Sequence, residues 1–367
     1  MKKISVIGIG KLGLCLALCL EKNGYNVVGM DIDKDYIVAL KDKKFRSNEI
    51  GVNDMLESTH FMPTDDLIFA IEHGDVIFVT VRTGSEPDGS YNESQLTTLV
   101  EQIKQYGKVG KRKDLIISCN VNPGCSDTVN SILSPLGYVI SYNPEWVAQG
   151  EIIKYQTQPD VVVIGAGDLT AAEIITNIHK SICSNDPIIH IMDRKSAEIV
   201  KIAVNSFLAT KIASANLIGE IAVSAGCDPH AILNAVGEDS RIGHKYLNYG
   251  FGYSGPCFPR DTGAFIRFAD SMGIKDPLHK AVEDANEQHL QYLIKKKLID
   301  TEEGETVVMD YVTYKPNVDM LDFSHRLRYA IALADAKRHV VICETSKVIE
   351  LIKYKYGDIF SYREKTS

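Results

Sequence analysis

Ile4-Ser5-Val6-Ile7-Gly8-Ile9-Gly10-Lys11-Leu12-Gly13 opens the chain, followed by LCLALCLEK (14–22) and by Asn26-Val27-Val28-Gly29-Met30-Asp31. A β-branched run, a glycine turn, a stretch of helix formers and a second β-branched run ending in a carboxylate predict strand, turn, helix, strand. The glycines at 8, 10 and 13 have the spacing of a dinucleotide-binding turn. In such a turn the first glycine makes the bend, the second lets a pyrophosphate approach the backbone, and the third lets helix pack on strand. The helix start then supplies N–H donors and partial positive charge. Asp31 accepts from ribose hydroxyls and repels a 2′-phosphate, so the expected cofactor is NAD rather than NADP. The same stretch has the charged start and apolar run of a signal peptide, but its repeated glycines favour the strand and turn.

Outward from this turn, β-branched runs recur at DVIFVTV (75–81), LIISCNV (115–121), YVISY (138–142) and DVVVIG (160–165), with helical patterns between them. Strands so spaced imply a parallel sheet covered on both faces. SAEIVKIAVNSFLATKIASANLIGEIAVSA (196–225) reads as one long helix, apolar on more than one face and therefore expected to be buried along much of its length. Residues 226–300 read as helical around one Gly-, Tyr- and Pro-rich loop, RIGHKYLNYGFGYSGPCFPRD (241–261). TVVMDYVTY (306–314) and HVVICET (339–345) read as strands flanking a helix, and REKTS (363–367) as a tail. The expected fold class is α/β: a Rossmann-like unit (1–193), a central helical unit (194–300) and a short C-terminal α/β unit (301–367).

A chain of 367 residues with 45% hydrophobic content exceeds what one core usually holds. Its net charge of −8, with no basic cluster, argues against nucleic acid as a partner. No run of about 18 uninterrupted apolar residues occurs, so no membrane span is expected. Eight cysteines without a C-x-x-C pair suggest reduced thiols in the cytoplasm, and no metal site is expected. Seven of them read as small buried hydrophobes, leaving Cys257.

Three segments place polar residues where a core would not want them. Asn143-Pro144-Glu145-Trp146 follows YVISY, at the carboxyl edge of the sheet. Lys201 and Asn205 lie one turn apart on an otherwise apolar helix. Cys257 sits among Ser254, Gly255, Pro256, Phe258, Pro259, Arg260 and Asp261, beside a cation and a carboxylate that suit an activated thiol.

These residues carry a resemblance. Asp239-Ser240-Arg241-Ile242-Gly243, Tyr246, Phe251-Gly252-Tyr253, Gly255, Cys257, Pro259 and Asp261 resemble the active-site segment of the UDP-glucose/GDP-mannose dehydrogenase family. The likeness extends through Gly8 to Gly13, the Asn143 segment, the Lys201/Asn205 pair and Lys315-Pro316-Asn317. It implies oxidation of a nucleotide-sugar C6 alcohol to a carboxylate by NAD, with Cys257 holding the intermediate as thiohemiacetal and thioester. Lys201 and Asn205 would stabilise negative charge at C6, Asp261 would position water or share the thiol proton, and Glu145 would serve as base for hydrolysis. Besides Gly8, Gly10, Lys11, Leu12, Gly13 and Asp31, the resemblance places Thr83, Asn120 and Arg260 near the cofactor. It places Trp146, Val147, Gln149, Tyr246, Phe251, Gly252, Tyr253, Gly255 and Lys315 around the substrate. Arg241 would reach the substrate of a second subunit, implying a homodimer built on the long helix.

Departures from the family pattern are equally specific. Gln149 replaces a carboxylate, Arg260 a lysine and Asn120 a threonine, and Thr83-Gly84 stands for Thr-Pro. After Lys315-Pro316-Asn317 the pattern's arginine gives way to Asp322. UDP-glucose is the default substrate, with UDP-N-acetylhexosamines and GDP-mannose as alternatives. A two-electron β-hydroxyacid dehydrogenase and a binding paralogue of weakened activity are the other readings.

Overall fold

The β-branched runs form a sheet in a computed structural model that describes residues 2–365. Its strands are β1 (Lys3–Ile7), β2 (Asn26–Met30), β3 (Met62–Thr64), β4 (Val76–Val79), the small hairpin β5 (Gly84–Ser85) and β6 (Tyr91–Asn92), β7 (Lys113–Ile117), β8 (Tyr138–Tyr142), β9 (Val161–Gly165) and β10 (Ile188–Met192). Eight of these join in the order β10-β9-β8-β7-β4-β1-β2-β3. Strands β3 to β8 in this sheet are parallel; β9 and β10 are parallel to each other and meet β8 antiparallel through Tyr142 and Gly165. The chain runs outward from β1 to β3 and then returns to β4 on the other side of β1. That reversal opens a crevice at the carboxyl ends of β1 and β4, the usual ligand position in such sheets.

Alternation along β1 feeds two cores. Ile4 and Val6 pack with Leu16, Leu20, Phe78 and Ile164 on one face, while Ile7 packs with Ile77, Val79, Leu115 and Ile117 on the other. Each such buried side chain contributes about 1.5–3 kcal/mol, so the sheet is anchored from both sides. Residue contacts divide the chain into two compact units, Met1–Lys201 and Ile202–Ser367.

The second unit begins inside the helix Arg194–Ser224 and continues with helices Pro229–Gly237, Phe258–Ser271 and Pro277–Ile299. Asp228 and Asp276 cap two of these, each followed by a proline at the first helical position, where a missing N–H costs nothing. Then follow β11 (Thr306–Met309), the helix His325–Asp335, β12 (His339–Glu344), the helix Ser346–Tyr356 and β13 (Ser361–Glu364). These three strands form a parallel sheet over Val307, Leu327, Leu333, Ile342 and Ile352.

Four expectations need correction. Arg363 and Glu364 of the expected tail pair with Cys343 and Glu344 in β13, because backbone hydrogen bonds hold an edge strand that has no apolar run; Thr366 and Ser367 lie outside the described residues. The long loop ends at Cys257, since Phe258 to Asp261 already form helix. Cys227 is exposed in a turn, while the other six cysteines apart from Cys257 are buried or half-buried. Finally, Arg194–Ser224 is less buried than its composition suggests: Phe207 is 70% exposed, Leu217 54% and Ile221 62%, all on one face with Val204. An apolar helix needs cover on every side, and these side chains are left exposed among the described residues. Among the described residues it alone is long and apolar enough to cross a membrane, but its Lys201, Lys211 and Glu220 are each hydrogen-bonded to other parts of the protein.

Candidate active site

At the end of β1 the turn has the geometry that its glycines require. Gly8 has φ +90°, and a Cβ on Gly13 would lie 2.3 Å from the Gly8 carbonyl oxygen and 2.4 Å from Thr80 Oγ1. Only glycine lets the helix Lys11–Lys22 sit this close to the strand. Gly10 caps that helix without any side-chain hydrogen bond, and a Cβ there would meet no atom within 4 Å. A helix start that opens on free space suits an oxyanion, and Asp31, just after β2, stands where an acceptor for ribose hydroxyls is expected. These residues fit NAD. Thr83 is buried beyond β4, and Asn120 is half-buried beyond β7. NAD should be preferred over NADP by on the order of 100-fold in kcat/KM, since a carboxylate facing a 2′-phosphate is a like-charge contact costing several kcal/mol. Equal use of both cofactors would remove Asp31 from the ribose site.

In the same unit the segment after β8 is held at both ends. Asn143, 1% exposed, donates from Nδ2 to the Val163 carbonyl and pairs through Oδ1 with His179 Nε2 at 2.8 Å. Burial pulls His179 down to about 4, so it stays neutral. At the far end the Glu49 carboxylate accepts from Gly150 N and Ile152 N. Between them lies Glu145. Desolvation pushes its carboxyl up to about 7, against the lowering effects of the Gln156 hydrogen bond and the Lys201 charge. Lys201, 8% exposed, donates to the Glu145 carbonyl at 3.1 Å, and its ammonium stands 4.9 Å from the Trp146 ring centroid. Val147 packs on the core, and the Gln149 amide oxygen is buried without a hydrogen-bond partner.

In the second unit Cys257 is the N-cap of the helix Phe258–Ser271, with Pro259 and Asp261 in the first turn. The Cys257 carbonyl accepts from Asp261 N at 2.8 Å, and the Cys257 side chain is exposed. A thiol at a helix start is placed where partial positive charge favours thiolate. Asp261, fully buried, accepts from Asn205 Nδ2 at 2.6 Å and stands 3.5 Å from Arg260 Nε. Charge-assisted bonds of this kind stabilise a buried carboxylate, which would otherwise be costly.

The loop leading to Cys257 is pinned from two helices. Gly250 N donates to Asn216 Oδ1, and Gly250 O meets His289 Nε2 at 2.6 Å while His289 Nδ1 meets Glu220 at 2.5 Å. Asn286 Nδ2 donates to the Tyr253 carbonyl. A Cβ on Gly252 would strike Asn286 Oδ1, and one on Gly255, whose φ is +80°, would strike the Tyr314 ring. Tyr253 is buried against Phe258, whereas Tyr246, at φ +63°, packs edge-on to Phe258 and is 45% exposed. Phe251 stands edge-on to Tyr329. Arg241 is exposed and forks onto Asp239. Lys315 lies in the irregular segment between β11 and the helix His325–Asp335, its carbonyl accepting from Thr313.

The structure thus brings together Glu145, Trp146 and Lys201 in one unit, and Asn205, Cys257, Arg260 and Asp261 in the other. Sequence reasoning missed Glu49, His179, Asn216, Glu220, Asn286 and His289, which carry no local motif. Proline and aspartate just after Cys257 could have signalled a helix start there, where the sequence reads as loop. Among the described residues no cluster of His, Cys, Asp or Glu could hold a metal.

A dinucleotide-binding turn in one unit, and in the other an exposed cysteine that opens a helix with a buried carboxylate in its first turn, are the parts a thiol-using dehydrogenase needs. Residues 2–183 match the NAD binding domain of the UDP-glucose/GDP-mannose dehydrogenase family, and residues 195–288 match its central domain. The UDP-glucose 6-dehydrogenase TuaD of Bacillus subtilis is 32% identical across the whole chain, which spans 82% of that relative. The structure of a UDP-glucose dehydrogenase from Pyrobaculum islandicum superposes with a TM-score of 0.89 at 29% identity, covering 100% of this chain and 86% of that one. A UDP-D-ManNAc dehydrogenase from Pyrococcus horikoshii shares the fold, with a TM-score of 0.79 at 21% identity over 93% of this chain and 83% of that one. The chain belongs to the UDP-glucose/GDP-mannose dehydrogenase family of NAD-dependent nucleotide-sugar dehydrogenases.

Proposed function

We propose that this protein oxidises the C6 alcohol of a nucleotide sugar, UDP-glucose by default, to the carboxylate through a thioester on Cys257. The observation that carries this reading is the exposed Cys257 at the start of a helix whose first turn carries the buried Asp261, itself paired with Asn205. When bound, NAD would accept the hydride leaving C6, one molecule for each of the two oxidations. Lys201 and Asn205 stabilise the alkoxide that forms as the C6 hydroxyl proton passes to water. The Cys257 thiolate adds to the resulting aldehyde carbon, and the oxyanion so formed gains a proton to give a thiohemiacetal. This step keeps a reactive aldehyde from leaving. Loss of the second hydride and the hydroxyl proton leaves a thioester. Water then attacks the thioester carbon, the C–S bond breaks, and Cys257 departs as thiolate.

Glu145 is assigned the base that activates this water, with Asp261 positioning it. Because burial holds the Glu145 carboxyl up near 7, the hydrolytic rate should rise as pH increases through about 7. One unit below that value roughly a tenth of the groups is ionised. Single-turnover thioester hydrolysis, followed against pH, should lose this limb in Glu145→Gln; an unchanged profile would assign the base elsewhere.

Residues 1–193 are assigned cofactor binding, 194–300 the thiol loop and dimer helix, and 301–367 the nucleotide end of the substrate. The exposed stripe of Val204, Phe207, Leu217 and Ile221 fits a second copy of the chain, with Arg241 reaching the partner's substrate. Reduced thiols support a cytoplasmic location. A panel of nucleotide sugars, with NADH counted per sugar consumed, tests the reading. Two NADH per sugar are expected; one would indicate a two-electron dehydrogenase, and none with any sugar would indicate a binding protein.

A further inference from the structure

Arg326 is the second residue of the helix His325–Asp335 and is half-buried. Its guanidinium carbon lies 4.3 Å from the centroid of the Phe251 ring and 3.9 Å from that of Tyr311. Two rings this close to one carbon shield part of the cation from water and restrict its motion. Tyr329 backs Phe251 edge-on at 5.3 Å, and the Lys365 ammonium stands 5.8 Å from the Tyr311 centroid.

What this arrangement leaves unused is the edge of the cation. Among the described residues Arg326 has neither a hydrogen-bond acceptor nor an ion-pair partner. Its neighbours on the same segment differ: Arg328 forks onto Glu287, and Arg338 donates to three backbone carbonyls and to Thr301. A guanidinium carries five N–H donors, and partly withdrawing them from water without a partner is costly. Here the group is flanked by two aromatic rings on a side chain from the first turn of a helix, where partial positive charge also favours an anion.

We propose that the guanidinium edge of Arg326 binds phosphoryl oxygens of the substrate's diphosphate. The inference rests on the reading of the substrate as a nucleotide sugar. The diphosphate is the only permanent anion on such a substrate before oxidation. With Phe251 and Tyr311 packed against the guanidinium, stacking of a base upon it is disfavoured, and a planar fork suits two phosphoryl oxygens. Phe251 also ties this cation to the loop that ends at Cys257.

The test is direct binding, by titration calorimetry, of the tighter of UDP and GDP to the full chain saturated with NAD, with the corresponding nucleoside as the phosphate-free probe. Arg326→Gln should weaken the diphosphate at least about tenfold and leave the nucleoside unchanged. Arg326→Lys, which keeps charge but not the fork, should fall between the two, and added salt should weaken the parent more than the Gln variant. Equal affinity of parent and both variants for the diphosphate would overturn the proposal. So would equal losses for diphosphate and nucleoside, which would make Arg326 a structural residue. Should the Gln variant fail to fold, undiminished affinity in the Lys variant alone is decisive against the fork. Binding is read without turnover. Diphosphate binding through Arg326 in a chain that oxidises no nucleotide sugar would therefore count against the assigned activity alone.

Discussion

Cys257→Ala is expected to lower steady-state NADH production by on the order of 10³-fold or more, because without sulfur the aldehyde has no covalent holder. The fold should survive, since the side chain is exposed. Cys257→Ser is the more informative change. Its hydroxyl can add to the aldehyde and, after the second hydride leaves, form an ester, but an alkoxide is a far poorer leaving group than a thiolate. The protein should accumulate as an adduct heavier by the sugar nucleotide, with little NADH made after the first turnover. Intact-mass spectrometry beside the NADH assay separates the outcomes. Sustained turnover by the Ala variant would sink the thioester pathway for this protein.

Lys201→Ala is expected to depress kcat by about 10²–10³-fold while KM changes much less, because the ammonium matters most when C6 carries negative charge. The side chain is buried, donates to the Glu145 carbonyl and faces the Trp146 ring, so its removal also leaves a cavity. Lys201→Met fills that space without the charge. If the Met variant kept the parent kcat, Lys201 would be a structural residue.

The cofactor half of this molecule was legible because its physics is local. A glycine at 13 is demanded by Gly8 and Thr80, and strands β1, β2, β4, β7 and β9 are β-branched runs bounded by turns. Strand β3 is three residues with a central proline, and β13 reads Ser-Tyr-Arg-Glu. Neither has an apolar period; each exists only because a neighbouring strand offers unpaired backbone groups. The same division holds in the site. Cys257, Lys201 and Asn205 stand out against their local composition, whereas His289, Asn286 and Glu49 act on backbone groups far away in sequence and look like ordinary surface residues in the string. The exposed face of Arg194–Ser224 was misread because an apolar helix looks the same whether its own chain or another covers it.

Trp146, with Lys201 placed against its ring, is the single tryptophan of the chain. Excited at the red edge of protein absorption, the molecule therefore emits from one address. A cation packed on an indole shifts and quenches its light, so neutralising or displacing Lys201 should register as a change in colour and intensity, with no label added. The protein carries its own optical gauge, and titrating it with NAD or a nucleotide sugar would read events at Trp146 free of any signal from the remaining 366 residues.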